Sequence, residues 1–223
     1  MQNSTQAANA WRILFLLFLA NLFNFFDRTI PAIIIEPIRM EWHLSDFQLG
    51  IIGTAFTLVY AIAGLPLGRM ADTGSRSKLM GWGLAVWSGL TAVNGLVGSF
   101  WSFLIVRMGV GIGEAGGTPA CNSIIADYFP ADRRSMAMTI FALGAPIGAW
   151  LGSDLAGYVS NLHGWRAAFL VLGVPGLILA VIIMVTIKEP TRGRLDAVVE
   201  DKAPSVMETV RFLWSQKAAV HAM

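Results

Sequence analysis

Long apolar stretches, separated by short polar or glycine-rich breaks, set the pattern of this chain. A helix needs about 20 mostly apolar residues to cross a bilayer's hydrocarbon core, and six stretches of that kind follow one another: 11–35, 47–68, 79–97, 101–126, 135–160 and 166–187. The pattern therefore predicts six membrane helices over residues 1–187. Between the first two, Glu36 to Asp46 is polar, and Ser45 with Gln48 three residues later forms a capping-box signal that starts the second helix. The run from Ile13 to Phe26 is followed by no small-residue cleavage site and by further spans, so it reads as a retained helix and not as a secretory signal. After Ile187 the chain turns polar. Residues 188–223 read as a cytoplasmic linker carrying a surface helix, since Val206, Val210, Leu213, Trp214 and Lys217 fall at helical spacing.

Composition supports lipid as the solvent: 55% of the 223 residues are hydrophobic and 13% are charged. A net charge of +2 argues against a nucleic-acid partner, and the single Cys121 excludes an internal disulfide or a cysteine-based metal site. The placement of charge is more informative. Of sixteen basic residues, twelve lie at the termini or in the even-numbered connections and two, Arg39 and Arg166, in the odd-numbered ones. The positive-inside rule then puts both termini in the cytoplasm. Arg28 and Arg107 remain, inside spans.

Two acids accompany them. A charge at the middle of a span costs about 2.5 to 3.5 kcal/mol on insertion scales, so such residues face the bundle interior or a water-filled path. With a rise of 1.5 Å per residue, Asp27 sits about 21 Å from the start of the apolar run at Ile13 and so roughly 9 Å from the far surface. Arg107, in a span running the other way, comes out at the same depth, about 9 Å from that surface. Glu114 is seven residues beyond Arg107, on nearly the same face and about 10 Å deeper. Burial and a neighbouring arginine act in opposite senses on a carboxyl placed there, and such a group can exchange a proton as a cavity opens and closes. Asp27 and Glu114 are thus candidate proton carriers, and Arg28 and Arg107 candidate ion-pair partners or holders of an anionic group. The alternative is a set of fixed structural ion pairs.

Several motifs resemble those of one family. At the end of the second span, Gly68, Asp72, Arg76 and Lys78 match the signature loop of the major facilitator superfamily, with Thr73 and Ser75 departing from it. The fourth span carries an Arg followed four residues later by Gly, Arg107 and Gly111. Asp127 to Arg134, Gly164-Trp165-Arg166 and Glu189-Pro190 extend the likeness along the chain. Asp27-Arg28 together with Gly111 to Ala115 most resembles the spinster-like branch, members of which are associated with sphingolipid and lysophospholipid export. The resemblance implies an all-α fold, the N-terminal six-helix bundle of an alternating-access transporter. A second six-helix bundle would complete it, either as the rest of a longer chain or as a second copy.

It further implies proton-coupled movement of a lipid-like amphiphile or organic anion in a cell inner membrane, with membrane lipid around the bundle. Uptake of a small organic acid, or a non-transporting receptor on the same scaffold, are the alternatives. Asp72 would accept hydrogen bonds from Arg76 or a neighbouring helix and lock one conformation. Gly144, Pro146 and Gly148 partly resemble the Gly-Pro motif of exporters, which leans the reading toward export. Gly111-x-Gly113-x-x-Gly116 spells a dinucleotide fingerprint but lacks the strand that reading requires. Gly109, Gly113 and Gly117 instead recur at four-residue intervals, as helix-packing glycines do. No catalytic triad, metal cluster or cofactor loop remains, so neither an enzyme nor a bound cofactor is expected.

Overall fold

In a computed structural model, residues 2–193 are described, with Leu195, Glu208, Arg211, Phe212 and Ser215 beyond them. The tail residues Val206, Val210, Leu213, Trp214 and Lys217, expected on a surface helix, lie outside the described residues. Among the described residues all regular structure is helical: α1 Gln2–Ile33, α2 Ile35–Trp42, α3 Asp46–Thr73, α4 Arg76–Asn94, α5 Phe100–Ala115, α6 Gly117–Tyr128, α7 Ala131–His163 and α8 Trp165–Thr186. The capping box is formed: Ser45 Oγ accepts from the Gln48 N–H, and the Gln48 carbonyl accepts from the Ser45 N–H at 2.9 Å.

Two differences from the sequence pattern share one feature. The connection at 36–46 contains a helix, α2, and the fourth span is two helices, α5 and α6, divided at Gly116. α1 ends at Ile33 and α5 ends at Ala115, each four residues before a proline, Pro37 and Pro119. A proline has no N–H for the carbonyl four residues back and its ring clashes there. Each proline removes that bond where α1 and α5 stop, although Pro31, Pro66, Pro146 and Pro175 lie inside helices that continue past them.

Four helices are long and apolar enough to cross a membrane, 8–33, 46–73, 131–163 and 165–186. The third span, α4, falls short of that apolarity: Arg76, Ser77, Ser88, Thr91 and Asn94 are buried along it, while Trp82, Val86 and Val93 leave an exposed apolar face. α1 packs most extensively on α7 and α4 on α8, while α5 runs between α3 and α4. The start of α1 and the α3–α4, α6–α7 and post-α8 corners share one end of the bundle, called here the terminal end. The α2–α3, α4–α5 and α7–α8 corners share the far end.

Glycines let these helices touch. In α7, a Cβ on Gly144 would lie 2.8 Å from the Phe18 carbonyl, one on Gly148 would overlap the Leu22 carbonyl, and one on Gly152 would lie 2.7 Å from Phe26. On the other pair of helices, a Cβ on Gly173 of α8 would come within 2.6 Å of the Ala92 nitrogen of α4. Gly113 faces Trp87 and Gly117 faces Trp87 and Met80, so the α5–α6 stripe seats α4. Gly148→Ala is expected to destabilise the solubilised protein by about 1 to 3 kcal/mol, since the obstruction is backbone and cannot rotate away. A thermal melt of that variant beside the parent reads the effect; equal melting temperatures would contradict the packing account.

Candidate functional site

The buried ionisable residues lie where two apolar clusters meet. One, toward the terminal end, is built around Leu17, Leu84, Trp87 and Ile183, and the other, toward the far end, around Ile30, Ile34, Phe103 and Phe169. Asp27 and Arg107 are each 3% exposed and Glu114 is 1% exposed. Arg28 Nε donates to Glu114 Oε2 at 2.9 Å, joining α1 to the last turn of α5. Aromatic faces surround the Arg28 guanidinium, with the Tyr60 ring at 4.5 Å, Phe25 at 5.4 Å and Phe56 at 5.8 Å. The Arg107 guanidinium lies 5.0 Å from the same Phe56 ring. Cation–π attraction strengthens when water is excluded, so Phe56 stands between two arginines and holds both without neutralising either.

Pairing in this cluster is incomplete. Glu114 Oε1 and both Nε and Nη1 of Arg107 are buried and have no hydrogen-bond partner among the described residues. Asp27 feels the charges of both Glu114 and Arg107. The structure thus brings together all four residues expected to share a site. It gives Glu114 to Arg28 as a direct partner and leaves Arg107 the cation with spare donors.

Two hollows meet at Arg28. The far hollow, about 490 Å³, is lined by Arg28, Arg107, Phe56, Pro31, Ala32 and Ile35 among others. The other, about 470 Å³ and toward the terminal end, has one amide-bearing side, Asn21, Asn24 and Asn122, and one apolar side on α7, including Met138 and Phe141. The sequence reading missed Asn21, Asn24, Phe56, Tyr60 and Asn122. Asn21, Asn24 and Arg28 fall at helical spacing in an apolar run, which is a legible signal for one polar face.

At the terminal end, Arg76 is 1% exposed and is the centre of a second cluster. It pairs with Asp127, donates from Nε to Glu189 at 2.8 Å, and bonds Ser123 Oγ at 2.8 Å and the Pro190 carbonyl at 2.9 Å. The Ser77 N–H and Ser75 hydroxyl complete Glu189 at 2.8 and 2.9 Å. Burial pushes the Glu189 carboxyl up, but the Ser77 N–H, Arg76 and Ser75 outweigh it and hold it below its ordinary range. Arg192 donates to the Ala71 and Gly74 carbonyls, and the Gly193 N–H to Asp127. The expected bond from Arg76 to Asp72 is not what forms. Arg76, in the first turn of α4, points inward to α6 and the post-α8 segment, whereas Asp72 is exposed on the last turn of α3. Lys78 is also exposed, and Gly68 faces open space.

A family model described as Major Facilitator Superfamily matches residues 17–222. The chain belongs to that superfamily. It is 32% identical over 179 residues to an MFS-type efflux pump of Mycolicibacterium smegmatis (strain ATCC 700084 / mc(2)155), covering 80% of this chain and 42% of the relative. It is 34% identical over 187 residues to Protein spinster homolog 1 of Xenopus tropicalis, covering 82% of this chain and 36% of that one. The crystal structure of a bacterial homolog of the human lysosomal transporter Spinster, inward-facing and unoccupied, superposes with a TM-score of 0.80 at 33% identity, covering 93% of this chain and 49% of that chain. The spinster likeness of the Asp27-Arg28 and Gly111 to Ala115 segments is therefore shared by the chain as a whole. Helices α1 to α8 are the N-terminal six-helix half of a major facilitator fold, and the chain spans half or less of the length of these relatives. Those relatives are transporters, not enzymes.

Proposed function

We propose that the chain supplies the N-terminal half of a proton-coupled, alternating-access transporter for an amphiphile or organic anion with a negatively charged group. The observation that carries this reading is the Arg28–Glu114 ion pair between two hollows, with Arg107 unsatisfied beside it. A proton on Glu114 weakens its hold on Arg28. The released guanidinium, with the spare donors of Arg107, then takes an anion's oxygens by charge-assisted bonds. When the anion leaves, Glu114 gives up its proton and the pair reforms. Asp27, which feels the charges of both Arg107 and Glu114, is the second proton carrier.

The remaining surface belongs to a second six-helix bundle, against which this one rocks with the substrate between them. Positive-inside places the terminal end and its basic residues in the cytoplasm, in the inner membrane of a cell. In that orientation the Arg76 cluster, in the loop carrying Gly68, Asp72 and Lys78, locks the cytoplasmic end of the bundle. This cycle moves proton and anion together, so an inward proton gradient drives uptake; the efflux pump among the relatives and the Gly144-Pro146-Gly148 segment favour export as the alternative direction.

The test is flux into liposomes holding the whole protein. With an imposed pH gradient, a panel of lysolipids and sugar acids is expected to yield at least one anionic substrate whose flux follows the gradient and stops when a protonophore collapses it. Flux of a substrate at equal rates with and without the gradient would remove proton coupling. No flux across the panel would favour a receptor role.

A further inference from the structure

The Gly164-Trp165-Arg166 corner takes no part in the site above, yet it makes the tightest polar contact at the far end. Arg166 Nη1 and Nη2 each donate to one oxygen of Glu41 at 2.7 Å, and Trp165 Nε1 donates to the same carboxylate at 2.8 Å. The arrangement is the bidentate fork that matches guanidinium to carboxylate. The Arg166 guanidinium is also stacked 4.1 Å from the Trp165 ring and bonds the Val97 carbonyl at 3.3 Å. Trp165 itself is set by edge-on contacts with Trp42 at 5.4 Å and Phe169 at 6.1 Å.

Glu41 is on α2, and α2 is the continuation of α1 beyond the break at Ile34. Glu41's interhelix hydrogen bonds go to Trp165 and Arg166 of α8, and Arg166 also bonds the Val97 carbonyl of the α4–α5 corner. The polar tie from α2 to α3 is a surface ion pair, Arg39 with Asp46 at 3.1 Å, whose Asp46 side chain is 86% exposed. The far hollow has Pro31, Ala32 and Ile35, the segment joining α1 to α2, as one wall and Leu49, Ile52, Gly53 and Phe56 of α3 as the other. Whatever anchors α2 therefore sets the distance between those walls.

We propose that Glu41, Trp165 and Arg166 form a clasp that holds α2 back against α8 and so fixes how far the far hollow, with Arg107 in its lining, opens to the surface. Glu41 is a positioning residue: it touches neither hollow. The clasp is not a proton switch at ordinary pH. Hydrogen bonds from Arg166 and Trp165 hold the Glu41 carboxyl down at about 2. A depressed carboxyl contributes its binding above the ordinary glutamate range and loses it only as pH falls toward that value.

Cysteine labelling tests the clasp in the whole protein with Cys121→Ser as background. A reagent that cannot cross the membrane is applied from the far side to Ala32→Cys, with Gly98→Cys in the exposed α4–α5 corner as control. Arg166→Ala and the milder Glu41→Gln are each expected to change the Ala32→Cys labelling rate by about threefold, as loss of a half-exposed ion pair biases a local equilibrium, with Gly98→Cys unchanged. Exchanging the charges, Glu41→Arg with Arg166→Glu, is expected to return the rate toward that of the parent. An unchanged rate in the single variants, whether or not their melting temperature falls, reduces the clasp to a structural staple and overturns the proposal. So does a changed rate that the exchange fails to restore. Labelling needs no transported substrate, so its outcome is independent of the flux assay.

Discussion

Arg76→Ala is expected to destabilise the solubilised whole protein by about 3 to 5 kcal/mol, the range for removing one partner from a buried ion pair. Arg76 and Asp127 have side chains 1% and 5% exposed, so the carboxylate left behind cannot recover water. Three separate segments also lose their common anchor, because Arg76 joins α4 to Ser123 and Asp127 of α6 and to Glu189 and Pro190 after α8. Asp127→Asn keeps a neutral acceptor for Arg76 and should cost less. The pH dependence follows from Glu189, whose carboxyl is held below its ordinary value. Its share of the stability is complete above the ordinary glutamate range and is lost as pH falls through the depressed value. Melting curves across that acidic window should therefore converge for the parent and Glu189→Gln. A melting temperature for Arg76→Ala equal to that of the parent would show the cluster to be dispensable.

The second large effect is functional. Glu114→Gln is expected to abolish gradient-driven flux, by on the order of a hundredfold, while leaving exchange of substrate for substrate measurable. Glutamine preserves an acceptor for Arg28 Nε, which Glu114 now receives at 2.9 Å, but it cannot take up and release a proton. Arg28→Ala should lose both activities, because it removes the cation and leaves the Glu114 carboxyl, with no exposed side-chain surface, without its bonded partner. Flux in Glu114→Gln that still follows the pH gradient would move proton coupling elsewhere, with Asp27 the next residue to test.

Much of this architecture was legible in the sequence because lipid leaves few choices. A chain must bury its backbone bonds in helices there, so apolar length alone marks the spans. The four ionisable residues stood out for the same reason: their cost in lipid demands an interior site. Helix breaks were less visible. Pro37 and Pro119 are plain in the sequence, but so are Pro31, Pro66, Pro146 and Pro175, which helices continue through, so a proline alone does not mark a break. The partner of Arg76 was hidden for a different reason. Asp72 is near it in sequence, whereas Asp127 and Glu189 reach it through tertiary packing of α6 and the segment after α8. Asn21, Asn24, Phe56 and Tyr60 are ordinary residue types, and what gives them a role is only that two helices turn them toward Arg28.

α4 carries a consequence for how the protein is made. Its buried serine, threonine, asparagine and arginine suit an interior helix and make it a poor candidate to enter lipid unaided. Its most extensive partner, α8, is the most apolar span, with a hydropathy of 2.9, and begins only at Trp165. During synthesis α4 thus emerges long before the helix that shelters it. A chain that stops before Trp165 is therefore expected to hold α4 in the bilayer less completely than one that includes α8.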